Sequence, residues 1–205
     1  KPVGMFSTCR SWGPAPEMEQ DDMTTMINGV DRDALQATVA AVQDDPTLAA
    51  FEFRLANRWV EGGLNRSTVG AFHGTNMEHH RAQPFELVND EPLVLLSGDR
   101  GPNPVEHVLH ALAGCLTTSL VYHAAARGMQ VEAVRTRFVG DLDLRGFLGL
   151  EPSVRNGYRE IRVAFEIDGD LTAEQKAELV RLAQARSPVF DVVSNGVPVA
   201  CALAG

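Results

Sequence analysis

Three thiols and six imidazoles are the side chains in this sequence best suited to reactive chemistry. Cys115 stands in the middle of Ala111-Leu112-Ala113-Gly114-Cys115-Leu116. A cysteine is a nucleophile as its thiolate, which a nearby cation stabilises. Burial without a cation raises the thiol pKa and leaves a small packed hydrophobe. The segment around Cys115 supplies no cation, because the 20 residues between Glu106 and Arg127 include no Asp, Glu, Lys or Arg. A reactive Cys115 therefore requires an arginine or lysine from elsewhere in the fold. Cys201 falls near the end of an apolar run read as a strand, where structural burial is expected. Cys9 lies in a polar N-terminal stretch. Three cysteines are too few for a disulfide framework, and the odd count leaves at least one thiol free or intermolecular.

His107 and His110 form an H-x-x-H pair, with His123 further along the same segment. On a helix, Cys115 lies about 140° from His110 and about 80° from each of His107 and His123, so one helix cannot gather a ligand set. His79-His80 sits in a polar stretch and would have to fold back to complete one. No metal and no cofactor are expected. The glycines near Gly98 and Gly101 match neither a dinucleotide fingerprint nor a P-loop.

These residues need elements to hold them. The uncharged segment is the strongest: Asn103 serves as N-cap, Pro104 suits the first helical position, and Gly128 suits the end. A helix of 20 residues would span roughly 30 Å, the width of a bilayer core. Three imidazoles and Thr117, Thr118 and Ser119 favour a globular core instead. Upstream, residues 1–30 read as a tail, and Asp31 to Asp44 as a short helix closed by Pro46. Phe51 to Val60 alternates as a strand, Gly62-Gly63 turns, and Asn65 to Phe72 returns as a second strand. Met77 to Gln83 reads as loop, and Phe85 to Val88 and Leu93 to Leu96 as short apolar runs. Val134 to Leu144 and Tyr158 to Asp168 alternate with period two. Thr172 and Gln175 make a capping box for a helix stopping before Pro188. Asn195-Gly196 within Val192 to Val199 signals a hairpin. One uncharged helix, two amphipathic ones and six to eight one-sided strands predict an α+β domain over 31–205, with residues 31–46 as a helical extension. Its antiparallel sheet wraps a long buried central helix.

Composition sets outer bounds. The chain has 205 residues, 44% of them hydrophobic and 22% charged, enough for a sizeable core in one domain. A net charge of -9 argues against nucleic acid and against a polybasic membrane attachment. Lys1 to Gln20 lacks the apolar run of a signal peptide, and a cytoplasmic location is expected.

The ordered blocks of the chain also resemble a family. Asn103-Pro104-Val105-Glu106 followed by Leu109-His110-Ala111-Leu112-Ala113-Gly114-Cys115 is similar to the central helix of the OsmC/Ohr superfamily, the osmotically inducible and organic hydroperoxide resistance proteins. Ala126-Arg127-Gly128, Gly140-Asp141-Leu142-Asp143-Leu144-Arg145-Gly146 and Ala185-Arg186-Ser187-Pro188-Val189-Phe190-Asp191 extend the resemblance over about Phe51 to Val199. It is to the OsmC-like branch more than to the characterised peroxidases. The resemblance implies an intertwined homodimer with two central helices and sites at the subunit interface. It makes Cys115 the peroxidatic thiol, Arg66 (with Arg58 as the alternative) the thiolate partner, and Glu106 the counterpart of a glutamate that the peroxidases carry one position earlier. The peroxidases' resolving cysteine sits in a Cys-Pro motif, which here reads Ser187-Pro188. The implied activity is a one-Cys reduction of organic hydroperoxides in oxidative-stress defence, with an external thiol as reductant. The alternative is a non-peroxidatic protein binding a small molecule at the interface.

Overall fold

The computed structural model describes residues 26–203. Cys9 and the first 25 residues of the expected tail lie outside the described residues. The remainder of that stretch is already ordered: β1 (Met26–Ile27) and β2 (Val30–Asp31) form a hairpin. Asn28 and Gly29 both have positive φ, as a tight two-residue turn demands. The Asn28 side chain then ties the hairpin down, accepting from Val131 N at 2.8 Å and donating to Met129 O at 2.9 Å. α1 (Arg32–Asp44) follows with Asp31 as its N-cap, and it buries none of its residues.

The expected single strand from Phe51 to Val60 is two strands in two sheets. β3 (Glu52–Phe53) ends where the chain bends, and β4 (Ala56–Glu61) begins after it. β4 pairs antiparallel with β5 (Leu64–Val69) around Gly62-Gly63. The expected return strand stops at Val69; beyond Gly70, Phe72 opens β6 (Phe72–Gly74), which pairs with β3. Met77 to Gln83 is not all loop, since β7 (Met77–His79) returns against β6. β8 (Phe85–Asn89) adds to β5, giving a β4-β5-β8 sheet beside a β3-β6-β7 sheet. Phe53, Phe72 and His79 stack in sequence on the smaller sheet. Leu93 to Leu96 is a 3-10 turn ending on a left-handed Leu96.

α2 (Pro104–Ala126) starts where the residues require, with Asn103 and Glu106 forming a full capping box. β9 (Ala133–Asp141) leads into the single turn α3 (Leu144–Phe147), and β10 (Glu160–Asp168) pairs antiparallel with β9 along its whole length. α4 (Ala173–Arg186) begins at the Thr172–Gln175 capping box. α5 (Pro188–Asn195) corrects the hairpin expected at Asn195-Gly196: Gly196, at φ 72°, caps the helix, so its left-handed preference ends α5 instead of turning a strand. Cys201 likewise lies outside any strand, in exposed coil.

The core is built from one half of the chain. Leu112, Leu116, Leu120 and Ala124 line one face of α2 and meet Leu179 and Ala183 of α4, Val134 and Phe138 of β9, and the inward residues of β10. Every residue of that cluster lies between 112 and 190. β4 is exposed along its whole length, and Trp59 is 72% accessible. Among the described residues α2 is the one helix with the length and hydropathy to cross a membrane, yet here it is the central helix of a packed α+β domain.

Candidate functional site

Cys115 sits at the border between the buried and open faces of α2. Leu112 and Leu116 beside it are buried, whereas Ala111, Gly114 and Thr118 are exposed, and Cys115 itself is half-buried. A Cβ added at Gly114 would meet no atom within 4 Å, so this face of the helix is open. Among the described residues, no arginine or other donor hydrogen-bonds the Cys115 sulfur. The cation that a thiolate needs is thus not supplied from within one chain's hydrogen bonds.

The two arginines singled out by sequence lie side by side. The β4–β5 register sets Arg58 directly opposite Arg66, so both guanidiniums stand on the same face of the sheet. Like charges in that arrangement repel, and among the described residues neither forms an ion pair with a carboxylate. On the opposite face Asn57, Asn65, Ser67 and Asn89 form a hydrogen-bonded amide cluster that fixes the register.

Glu106 is placed at the helix start. Its carboxylate accepts from Asn103 N at 2.8 Å while Asn103 Oδ1 accepts from Glu106 N at 2.9 Å. About 180° of helix separates it from Cys115. The loop before it is set by Asp90, a wholly buried carboxylate at the end of β8. Asp90 accepts from Ser97 Oγ, from Glu91 N at 2.9 Å, and from Arg100 Nε at 2.8 Å and N at 3.1 Å. The Arg100 guanidinium, then Ser97, hold Asp90 far below the usual carboxylate range. His107 completes the anchor by donating Nε2–H to Val88 O at 3.0 Å. These contacts join the β4-β5-β8 sheet to α2; sequence offered no sign of the Asp90 knot beyond a dense run of turn residues.

Ser187 is 2% exposed and caps α5, its hydroxyl accepting from Phe190 N at 3.1 Å. Among the described residues no three His, Cys, Asp or Glu side chains gather as a metal centre needs. His79 bonds Gly74 O, and His123 is kept neutral by burial and then by Arg127 and Arg186.

A cavity of about 410 Å³ opens on the same stripe of α2 as Cys115, towards the helix start. Val108 and Leu112 of α2, Ile161 and Val163 of β10, and Phe190 and Val193 of α5 wall it. Tyr158 forms one edge and bridges to α2, donating to Val105 O at 2.9 Å. Burial, and next the charge of Glu106, raise its phenol pKa, so it remains a neutral donor. Arg155 and Arg159 stand at the rim. This wall escaped sequence reading because its parts come from four separate segments.

Comparison with known proteins agrees with this architecture. The family model for OsmC-like protein matches residues 97–202, just over half of the chain. Among curated proteins none matches this chain by sequence. Among solved structures, the OsmC-like protein from Mycoplasma pneumoniae superposes with a TM-score of 0.54 at 16% identity, covering 69% of this chain and 86% of that one. An organic hydroperoxide resistance protein OsmC from Legionella pneumophila superposes with a TM-score of 0.51 at 16% identity, covering 72% of this chain and 93% of that one. The central helix with Cys115, the β9–β10 pair and the α4–α5 corner thus fall within the matched region, and the chain belongs to the OsmC-like family.

Proposed function

We propose that this protein is a one-Cys thiol reductant of organic hydroperoxides, acting as an intertwined dimer in the cytoplasm. The observation that carries the reading is complementary incompleteness. Cys115 lies on an open helix face without a cation, and the β4-β5-β8 sheet carries two unpaired arginines but contributes no residue to the core cluster. In a dimer where one copy's sheet covers the other copy's α2, Arg66, with Arg58 beside it, approaches the thiol. Two guanidiniums that repel each other are stabilised by an anion between them, here the thiolate and then the developing alkoxide.

The Cys115 thiolate attacks the distal oxygen of ROOH. The S–O bond forms, the O–O bond breaks, and RO⁻ leaves and is protonated to ROH, so cysteine becomes sulfenic acid as the peroxide is reduced. An external thiol attacks the sulfenic acid, releasing water and leaving a mixed disulfide. A second thiol displaces Cys115 and departs as the external disulfide. Glu106 acts by fixing the start of α2 and not by touching the thiol. No step calls on a metal or cofactor.

Turnover of cumene hydroperoxide with dithiothreitol tests the chemistry: wild type is expected to consume it and Cys115→Ser to lose that activity. Equal, negligible rates in both refute it. Sedimentation tests the assembly, with twice the 22.2 kDa chain mass expected.

A second reading has its own support. Ser187, where a resolving cysteine stands in the peroxidases, is committed to capping α5, and Cys201 is in exposed coil. A dimer binding a small molecule without turnover fits both facts. Rapid alkylation of Cys115 near neutral pH, with an apparent pKa well below that of free cysteine, contradicts it.

A further inference from the structure

We infer that the cavity between α2, β10 and α5 is a binding site for an aliphatic monocarboxylate, its hydrocarbon chain lying on Val108 and Leu112 and its carboxylate held by Arg155 and Arg159. This goes beyond the thiol chemistry and holds whether or not Cys115 turns over.

The argument begins with the walls. Six apolar side chains from a helix, a strand and a second helix converge on a cavity of about 410 Å³, inside the range of roughly 300–1,000 Å³ typical of small-molecule sites. Apolar cavities of this kind bind apolar bodies, and a few charged groups at the edge set orientation. Here those groups are of one sign. Among the described residues, neither Arg155 nor Arg159 forms an ion pair. The carboxylates around them are already engaged. Glu160, on the cavity wall, pairs with Arg162, which also takes Asp141. Asp143 pairs with Arg145 at 2.6 Å. Arg159 adds to the field that lowers the Asp141 and Asp143 pKa values, but each of these carboxylates has another arginine as its hydrogen-bond donor.

The rim is also built, not merely exposed. A Cβ at Gly146 would fall 2.5 Å from Arg155 O, so the chain carrying Arg155 packs directly on α3. Tyr158, between the two arginines, lies over Gly140 of β9 and is bonded to α2 through Val105 O. Both guanidinium-bearing residues therefore spring from an anchored segment. Two guanidinium forks above an apolar slot suit a planar anion with a hydrocarbon tail. Sulfate or phosphate alone would leave the slot empty, and an uncharged alkane would leave the forks without a partner.

Isothermal titration with octanoate and with 1-octanol tests the site on the full chain. Octanoate is expected to bind saturably, once per chain, and 1-octanol about tenfold more weakly, as for loss of one charge-assisted interaction. Arg155→Gln/Arg159→Gln should weaken octanoate by about tenfold and leave 1-octanol unchanged; both positions are exposed, so folding should survive, as circular dichroism will verify. Val108→Trp, which fills the slot, should abolish both. Cys115→Ser should keep octanoate affinity, separating this site from the thiol reading. Octanoate binding that is indifferent to the double substitution overturns the proposal, as do equal affinities for the two probes or no saturable binding because a second copy fills the cavity.

Discussion

Replacing Leu120 by alanine probes the packing that sets where Cys115 points. Leu120 is 0% exposed and lies on the Leu112–Leu116–Leu120–Ala124 stripe against α4. The substitution removes the equivalent of three buried methylenes, about 2.4 kcal/mol by transfer at ~0.8 each. Neighbours on a helix, a sheet and a second helix restrict collapse into the void, and the cavity term brings the total loss to about 3–4 kcal/mol. For a domain of this size that lowers Tm by roughly 6–16 °C. Val39→Ala serves as control, since Val39 is 51% exposed on α1, and should stay within about 0.5 kcal/mol. Urea denaturation at one fixed protein concentration is the measurement, because self-association makes apparent stability concentration-dependent. A loss below about 1 kcal/mol, or one no larger than for Val39→Ala, would refute the assignment of this stripe as the core face. It would equally remove the placement of Cys115 at the border of that face.

Three further outcomes follow from individual contacts. Asp90 has a lowered folded pKa, so its stabilisation is complete above the ordinary carboxylate range and is lost as pH falls through the folded value. Asp90→Asn should therefore be less stable than wild type at neutral pH, with the gap narrowing below about pH 4 in acid titrations followed by circular dichroism. His123 is also lowered, by burial first, so it favours folding while neutral and destabilises as pH falls below the ordinary imidazole range. Its NMR titration midpoint should lie below that of free histidine, and His123→Gln should flatten the stability profile there. Gly140→Ala places a Cβ 2.5 Å from the Tyr158 ring, which must move off Val105 O. A loss of about 1–3 kcal/mol is expected by thermal denaturation, and a variant as stable as wild type would contradict the contact.

Elements governed by local chemistry were legible in the sequence. Asn103-Pro104 before an uncharged run could only open a helix, and Thr172 with Gln175 fixed the start of α4. Period-two alternation located β9 and β10 because each has one face on the core and one in water. Misreadings arose where one local signal serves two structures. The left-handed preference of Asn195-Gly196 suits a hairpin or a helix end, and only the packing of Val189 and Phe190 in the core selects the helix. Asn28-Gly29 carried the same signal and was passed over inside an acidic stretch, although here it does turn a hairpin. Alternation from Phe51 to Val60 did not show that the chain changes sheets near Leu55. At the candidate site, Cys115 stood out by its setting within one helix. The opposition of Arg58 to Arg66 needed strand register, and the Arg155–Arg159 rim needed tertiary structure.

The one-sided origin of the core has a consequence for biosynthesis. A ribosome delivers β3 to β8 before any residue of the 112–190 cluster exists. At typical elongation rates, the hundred residues between Asn89 and Phe190 take on the order of 5–20 s to appear. During that interval Phe51, Phe53, Trp59 and Phe85 are held on nascent strands with no core of their own to enter. Strand edges in that condition invite pairing with other chains. Glu52, Arg54 and Arg58, interleaved with the aromatics, act as gatekeepers of the kind that keep such edges soluble. Conserving charge at those positions would thus protect the newborn chain even where it adds little to the finished one.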